Sequence, residues 1–146
     1  MDDITCFRGE FFFLSNFYPA KCTYDGLVYT TSEHAYQSAK TVDVDLRKKF
    51  QSLKTPEMAK TLGKNVDVRP NWNKIRTQVM WECLQSKFSD PVLRQKLLDT
   101  GYVKIVEGNT WGDTFWGVCD GKGHNCLGIM LMSLRNSFRM NEFLQS

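Results

Sequence analysis

The sequence has no stretch approaching the roughly 18 consecutive apolar residues that a membrane-crossing helix needs, so no such helix is expected. It is also short of charge of one sign. Nineteen Lys and Arg stand against 16 Asp and Glu, a net charge of +3. That suits an anionic ligand but falls far below the basic surplus of a DNA-coating protein. Five cysteines (Cys6, Cys22, Cys83, Cys119 and Cys126) show no paired spacing, so free thiols in a reducing cytoplasm are expected rather than a disulfide framework. Cys119, His124 and Cys126 are close in sequence but match no familiar zinc pattern, and neither metal nor cofactor is expected. The acidic opening "MDDITCFRGE" lacks the basic-then-apolar design of a signal peptide. Repeats and low-complexity segments are absent. Residues 1–146 therefore read as a single cytoplasmic domain, long enough to bury one core.

What the sequence does have is aromatic surface, 13% of residues with four tryptophans and ten phenylalanines. Two of the tryptophans fall in "EGNTWGDTFWGVCDGKGHNCLG", a glycine-rich stretch with no strand or helix period and too aromatic for a solvated linker.

The order of elements predicts an α+β domain that is predominantly helical, with a small β-sheet or hairpin, and not an alternating βαβ fold. "KCTYDGLVYTT" holds two β-prone runs joined by Asp25-Gly26, a strong hairpin signal. "TTSEHAYQSAK" opens with capping candidates, and Thr30 to Glu33 has capping-box spacing. A second helix can start at Asp43. A third has Thr55 as cap, Pro56 in the first turn and Gly63 as stop. After Pro70, the residues Trp72, Ile75, Val79, Cys83, Leu84 and Phe88 recur along one helical face. "DPVLRQKLLDTG" reads as a helix closed by Gly101, and "YVKIVEG" as a lone strand. A last helix beginning near Asn125 turns Leu127, Met130, Leu131, Leu134 and Phe138 inward.

Three features could carry chemistry. On a helix, Glu33, Gln37 and Lys40 share one face, with Glu33 and Lys40 about 10 Å apart along the axis. A carboxylate and an amine so placed could reach opposite ends of one substrate. Equally, Glu33 could complete a capping box and Lys40 favour the negative end of the helix dipole. His34 points elsewhere and reads as a hydrogen-bonded structural residue. In the glycine-rich loop Asp113 lies between Trp111 and Trp116, whose indole faces are platforms for a base or sugar; Trp72 could supply another, or these indoles could be core anchors. "GKGHN" has the make-up of an anion nest, with Lys122 as charge, Gly123 allowing close backbone approach, and amides from Asn125 onward at a helix start. It is not a Walker loop.

Taken in order, "LSNFYP", "YTTSEHAYQSAK", "MAKTLGKNVDVRPNWNKIRTQVM", "LLDTGYVKIVEGNTWGDTFWG" and "GKGHNCLGIMLMSLR" resemble the YbiA-like, or NADAR, family from about Phe11 to Arg135. The resemblance implies a compact, mostly helical domain that cleaves N-glycosidic bonds, either in phosphorylated intermediates of riboflavin biosynthesis or between ADP-ribose and guanine in nucleic acid. It assigns Glu33 as the essential glutamate, Trp72, Asp113 and Trp116 as further functional positions, and Lys40 as an amine able to trap the opened sugar. It also places Asn16 and Phe17 near the ligand. Thr41, after Lys40, departs from the aromatic that is frequent there.

The expectation is therefore an N-glycosidase, with Glu33, Lys40 and Asp113 as catalytic groups. Asn16, Phe17, Trp72, Trp111, Trp116, Lys122, Gly123 and Asn125 would bind the substrate, and no metal takes part. Its partner would be a phosphorylated nucleoside-like small molecule or ADP-ribosylated nucleic acid. The rival expectation is a non-catalytic reader of ADP-ribose or a nucleotide, gripping its ligand with the same aromatic clamp.

Overall fold

A computed structural model describes residues 1–146. The chain divides into two compact units, one of residues 16–90 and one of residues 1–15 together with 91–146. Six α-helices and a 3-10 helix dominate two small two-stranded sheets, an α+β architecture that is predominantly helical. No helix is long and apolar enough to cross a membrane.

The unit of residues 16–90 begins with a hairpin. Strands β1 (Cys22–Tyr24) and β2 (Leu27–Tyr29) pair antiparallel, with Tyr24 opposite Leu27. The two residues between them, Asp25 and Gly26, both have positive φ (49° and 81°). That is the primed turn whose twist matches the flanking strands. Arg47 fastens the hairpin to the helices, donating to Asp25 Oδ2 at 2.6 Å and to the Thr41 carbonyl at 2.8 Å.

Four helices complete this unit: α1 (Ser32–Ser38), α2 (Val44–Ser52), α3 (Pro56–Asn65) and α4 (Trp72–Lys87). Every residue of α1 is buried, and it packs against α2, α3 and α4. The cap of α1 is Thr31, among the candidates that open this segment; its hydroxyl accepts from the His34 amide, and the Thr30 to Glu33 spacing is not the one used. Asp43 caps α2 as expected, accepting from Asp45 and Leu46, and Thr55 caps α3 with Pro56 in the first turn. Gly63 is not the stop of α3. The helix runs on to Asn65, and Gly63 lies buried inside it.

The other unit holds the 3-10 helix Gly9–Leu14, α5 (Pro91–Asp99), the paired dipeptides β3 (Gly108–Asn109) and β4 (Val118–Cys119), and α6 (Cys126–Gln145). "YVKIVEG" is not the lone strand its β-branched residues predicted. Ile105 makes a single parallel bridge to Ile4, and only Gly108 enters a ladder, pairing with Val118. β-propensity marks a half-buried extended surface, and here just one residue-long partner is on offer. On α6 the side chains of Leu127, Leu131 and Leu134 are buried and those of Met130 and Phe138 are half-buried. Arg135, also buried, donates to Thr100 Oγ1 at 2.9 Å.

Candidate active site

Helix α1 carries the acid that the sequence singles out. Glu33 sits in its first turn, only 8% exposed. Its backbone amide donates to the Asn16 carbonyl at 3.1 Å, and the neighbouring Ser32 hydroxyl donates to Asn16 Oδ1 at 2.8 Å. Asn16 also directs Nδ2 toward Met80 Sδ at 3.5 Å. The loop residue that the resemblance placed near a ligand thus holds the start of α1, and Phe17 follows it, half-buried.

One turn along α1, Gln37 Nε2 donates to Glu33 Oε1 at 3.2 Å. The shared face of Glu33 and Gln37 is therefore real. Lys40 lies just past the helix end, its amide bonded to the Gln37 carbonyl in a tight final turn. Its Nζ donates to the Gly63 carbonyl at 3.4 Å. Burial lowers the Lys40 pKa from the usual lysine range, the Glu33 charge opposes that shift, and Lys64 adds to it. Desolvation of an ammonium thus outweighs a nearby carboxylate, and the neutral amine becomes more accessible than on a surface lysine.

The Lys40 carbonyl accepts from the Arg69 amide at 2.8 Å, and the Arg69 carbonyl accepts from the Trp72 amide at 3.1 Å. That chain of bonds sets the entry to α4 beside the end of α1. Trp72, 7% exposed, packs its ring against Tyr36 of α1, with centroids 5.2 Å apart at 55°. Residues 33, 36, 37, 40 and 72 all belong to the unit of residues 16–90, which joins an acid, an amine just past the end of α1, and two tilted aromatic rings in contact. Tyr36 and Gly63 were not foreseen. Tyr36 lies one helical step of three from Glu33 and could have been found from that, whereas nothing local marked Gly63 as a contact.

His34 is the structural residue that was expected. It is fully buried, its Nε2 lies 3.0 Å from the Leu53 carbonyl and its Nδ1 lies 2.6 Å from Thr31 Oγ1. Burial lowers its pKa, partly offset by the Leu53 bond. The neutral ring, donating from Nε2 and accepting at Nδ1, satisfies both contacts.

The glycine-rich loop belongs to the other unit. Asp113 is half-buried, and its Oδ1 accepts from the amides of Phe115 (3.1 Å) and Trp116 (2.9 Å). Asn109, missed in the sequence, braces the same turn: its Oδ1 accepts from the Asp113 amide at 3.0 Å, and its Nδ2 donates to the Asp113 carbonyl at 2.8 Å. Trp116 is half-buried and meets Phe115 edge-on at 4.8 Å, while Trp111 is 58% exposed. Trp111 is therefore no core anchor.

The anion-nest expectation needs correcting at Lys122 and Asn125, because the loop uses those amides itself. Lys122 exchanges backbone bonds with Cys119 across a turn in which Asp120 and Gly121 have positive φ. The amides of His124, Asn125, Cys126 and Leu127 donate to the carbonyls of Thr114, Gly117, Phe115 and Trp116. Asn125, at φ 53°, brackets the loop with its side chain, accepting from the Glu107 amide and donating to the Ile105 carbonyl, both at 2.9 Å. Gly123 is needed for a close approach, since a Cβ there would overlap the Gly117 carbonyl. No group of three or more His, Cys, Asp or Glu side chains is arranged to hold a metal ion.

Comparison with known proteins finds relatives that span most of the chain. The NADAR domain profile matches residues 6–139. The N-glycosidase YbiA of Escherichia coli is 36% identical over 132 residues, which cover 88% of this chain and 82% of that protein. A riboflavin biosynthesis protein of Vibrio vulnificus is 36% identical over 131 residues, covering 87% of this chain and 35% of the longer relative. The NMR structure of E. coli YbiA superposes with a TM-score of 0.84 at 33% identity, covering 98% of this chain and 89% of that one. A domain match across residues 6–139, curated relatives above one-third identity and a shared fold together place the chain in the NADAR domain family.

Proposed function

We infer that this chain is an N-glycosidase, a hydrolase of N-glycosyl bonds, and propose that its substrate is a phosphorylated ribosylamino-pyrimidine. The observation that carries the reading is the buried Glu33 carboxylate, tethered by Gln37 on a helix that also presents Tyr36 against Trp72 and leads into a partly desolvated Lys40. Support for the substrate class comes from relatives named as N-glycosidase and as a riboflavin biosynthesis protein.

Breaking the bond from the anomeric carbon to the base nitrogen builds positive charge on the sugar. A fixed carboxylate stabilises that charge and can take a proton from the water that adds to the anomeric carbon, while the departing nitrogen gains a proton. Glu33 fills this role. Lys40, its amine partly desolvated, either meets the phosphate or adds to the anomeric carbon as the base nitrogen leaves with a proton. After addition the ring opens to a Schiff base that water hydrolyses to return the amine. Trp72 holds the substrate by stacking, with Asn16 and Phe17 at its edge. The glycine-rich loop is proposed as a ligand-binding element within its own unit, with Asp113 for hydroxyls or water, Trp111 and Trp116 as indole faces and Lys122 as charge. Gly123 and Asn125 keep that loop in shape.

The test compares two substrates, a ribosylamino-pyrimidine phosphate and an ADP-ribosylated guanine oligonucleotide. Release of ribose phosphate from the first is expected. Release of ADP-ribose from the second alone would move the assignment to nucleic acid, and tight binding without product would make the chain a reader. Glu33→Gln should abolish turnover while the fold persists, and activity at the wild-type level would overturn its role. Borohydride during turnover should leave a sugar adduct on Lys40 if the covalent route operates.

A further inference from the structure

Gln37 has one half of its amide in use and the other half sealed. Nε2 donates to Glu33 Oε1, whereas Oε1 is buried and has no hydrogen-bond partner. The residue is 6% exposed, so no solvent reaches that oxygen. What lies against it is the backbone of α3 at Gly63, where a Cβ would overlap both Oε1 and the amide carbon of Gln37. A buried amide oxygen without a donor is costly. A glutamine kept in that state has been fixed for the sake of its other end.

The orientation follows from the chemistry of the partners. The NH₂ group donates to the Glu33 carboxylate, so the oxygen at the other side of the amide faces away. Facing away leads into α3, and only a residue without a side chain leaves room there. The helix tolerates a glycine in its interior, usually a destabilising choice, at the one position where the amide docks.

We propose that Gln37 and Gly63 form a positioning pair for the Glu33 carboxylate. Gly63 provides the slot that holds the Gln37 amide in a single orientation, and Gln37 Nε2 fixes Glu33 and keeps it ionised. This rests on the reading of Glu33 as the reacting acid, yet the ionisation of Glu33 can be measured without turnover. The same glycine accepts from Lys40 Nζ through its carbonyl, so the two ionisable groups take their places from one turn of α3.

The experiment follows the Glu33 carboxyl carbon by ¹³C NMR across pH in wild type, Gln37→Met, Gly63→Ala, Gln37→Ala and the Gln37→Ala/Gly63→Ala double variant. Gln37→Met keeps the length of the side chain and removes the donor. Loss of a hydrogen bond to a charged acceptor should raise the Glu33 midpoint by roughly one pH unit. The acid limb of the kcat profile should move with it, and kcat should fall roughly tenfold with KM little changed. Gly63→Ala should raise the midpoint similarly by displacing the amide, and in the Gln37→Ala background it should have no further effect. An unchanged Glu33 midpoint in folded Gln37→Met would overturn the proposal. So would a Gly63→Ala shift of equal size with and without Gln37. If Glu33→Gln stays active while the midpoint shifts as expected, the positioning holds and the functional reading fails.

Discussion

The carbonyl of Asn16 accepts the backbone amide of Glu33 at 3.1 Å, across 17 residues of chain. The first amides of a helix have no partner within it, and this one is satisfied by a loop rather than by water. The Asn16 side chain adds the bond from Ser32. Asn16 therefore fixes the start of α1 beside the acid.

Asn16→Ala should keep the backbone bond and lose the side-chain bonds to Ser32 and Met80. A stability loss of about 1 kcal/mol is expected in urea denaturation. With Glu33 as the reacting acid proposed above, turnover should fall by more than that loss implies, because the start of α1 that carries it loses a support. Turnover that stays at the wild-type level would separate Asn16 from the placement of the acid.

Asp113→Ala should release the Phe115 and Trp116 amides together, costing about 1–3 kcal/mol because the acceptor is a carboxylate. Hydrogen exchange at those two amides should speed up, while exchange at Phe50 of α2 should not change. Asp113→Asn retains an acceptor oxygen and should restore most of the protection. Poor protection in Asp113→Asn would show that the charge, and not the bond geometry, holds the turn.

Lys87 is fully buried at the end of α4, with Nζ 5.2 Å from the Phe88 ring centroid and 5.7 Å from that of Tyr18. Burial pushes its pKa down to about 7, against a small opposing pull from Cys22. Below pH 7 the folded and unfolded chains both hold the proton, and the folded state bears the whole cost of a buried charge. Between about pH 7 and the ordinary lysine value the folded chain has released the proton and the unfolded chain keeps it. Stability should therefore rise with pH across that window, by up to about 1.4 kcal/mol per unit. Lys87→Met should lack this rise, and urea melts of both proteins from pH 6 to 10 measure the difference. Parallel curves would mean that Lys87 stays charged in the fold.

Local signals in the sequence carried much of this. Asp25-Gly26, Asp43 and Thr55-Pro56 each act within a few residues, and the structure uses each where its chemistry places it. The face shared by Glu33 and Gln37 follows from the helical step alone. What was not legible depends on distant partners. Gly63 looked like a helix stop because its contact, Gln37, lies 26 positions away and on another helix. The amides of residues 124 to 127 looked available because their acceptors, the carbonyls of residues 114 to 117, come from a stretch with no period of its own. Thr30 and Thr31 are chemically equivalent caps, and only packing chooses between them.

The start of α6 has a further consequence. Backbone carbonyls of the chain itself cover the amides of Asn125, Cys126 and Leu127. The positive end of that dipole is already neutralised, as a plug closes a socket. An anion reaching this helix start would then have to find its counter-charge on lysine and arginine side chains. Affinity built that way weakens steeply with ionic strength, which an oriented backbone would have resisted.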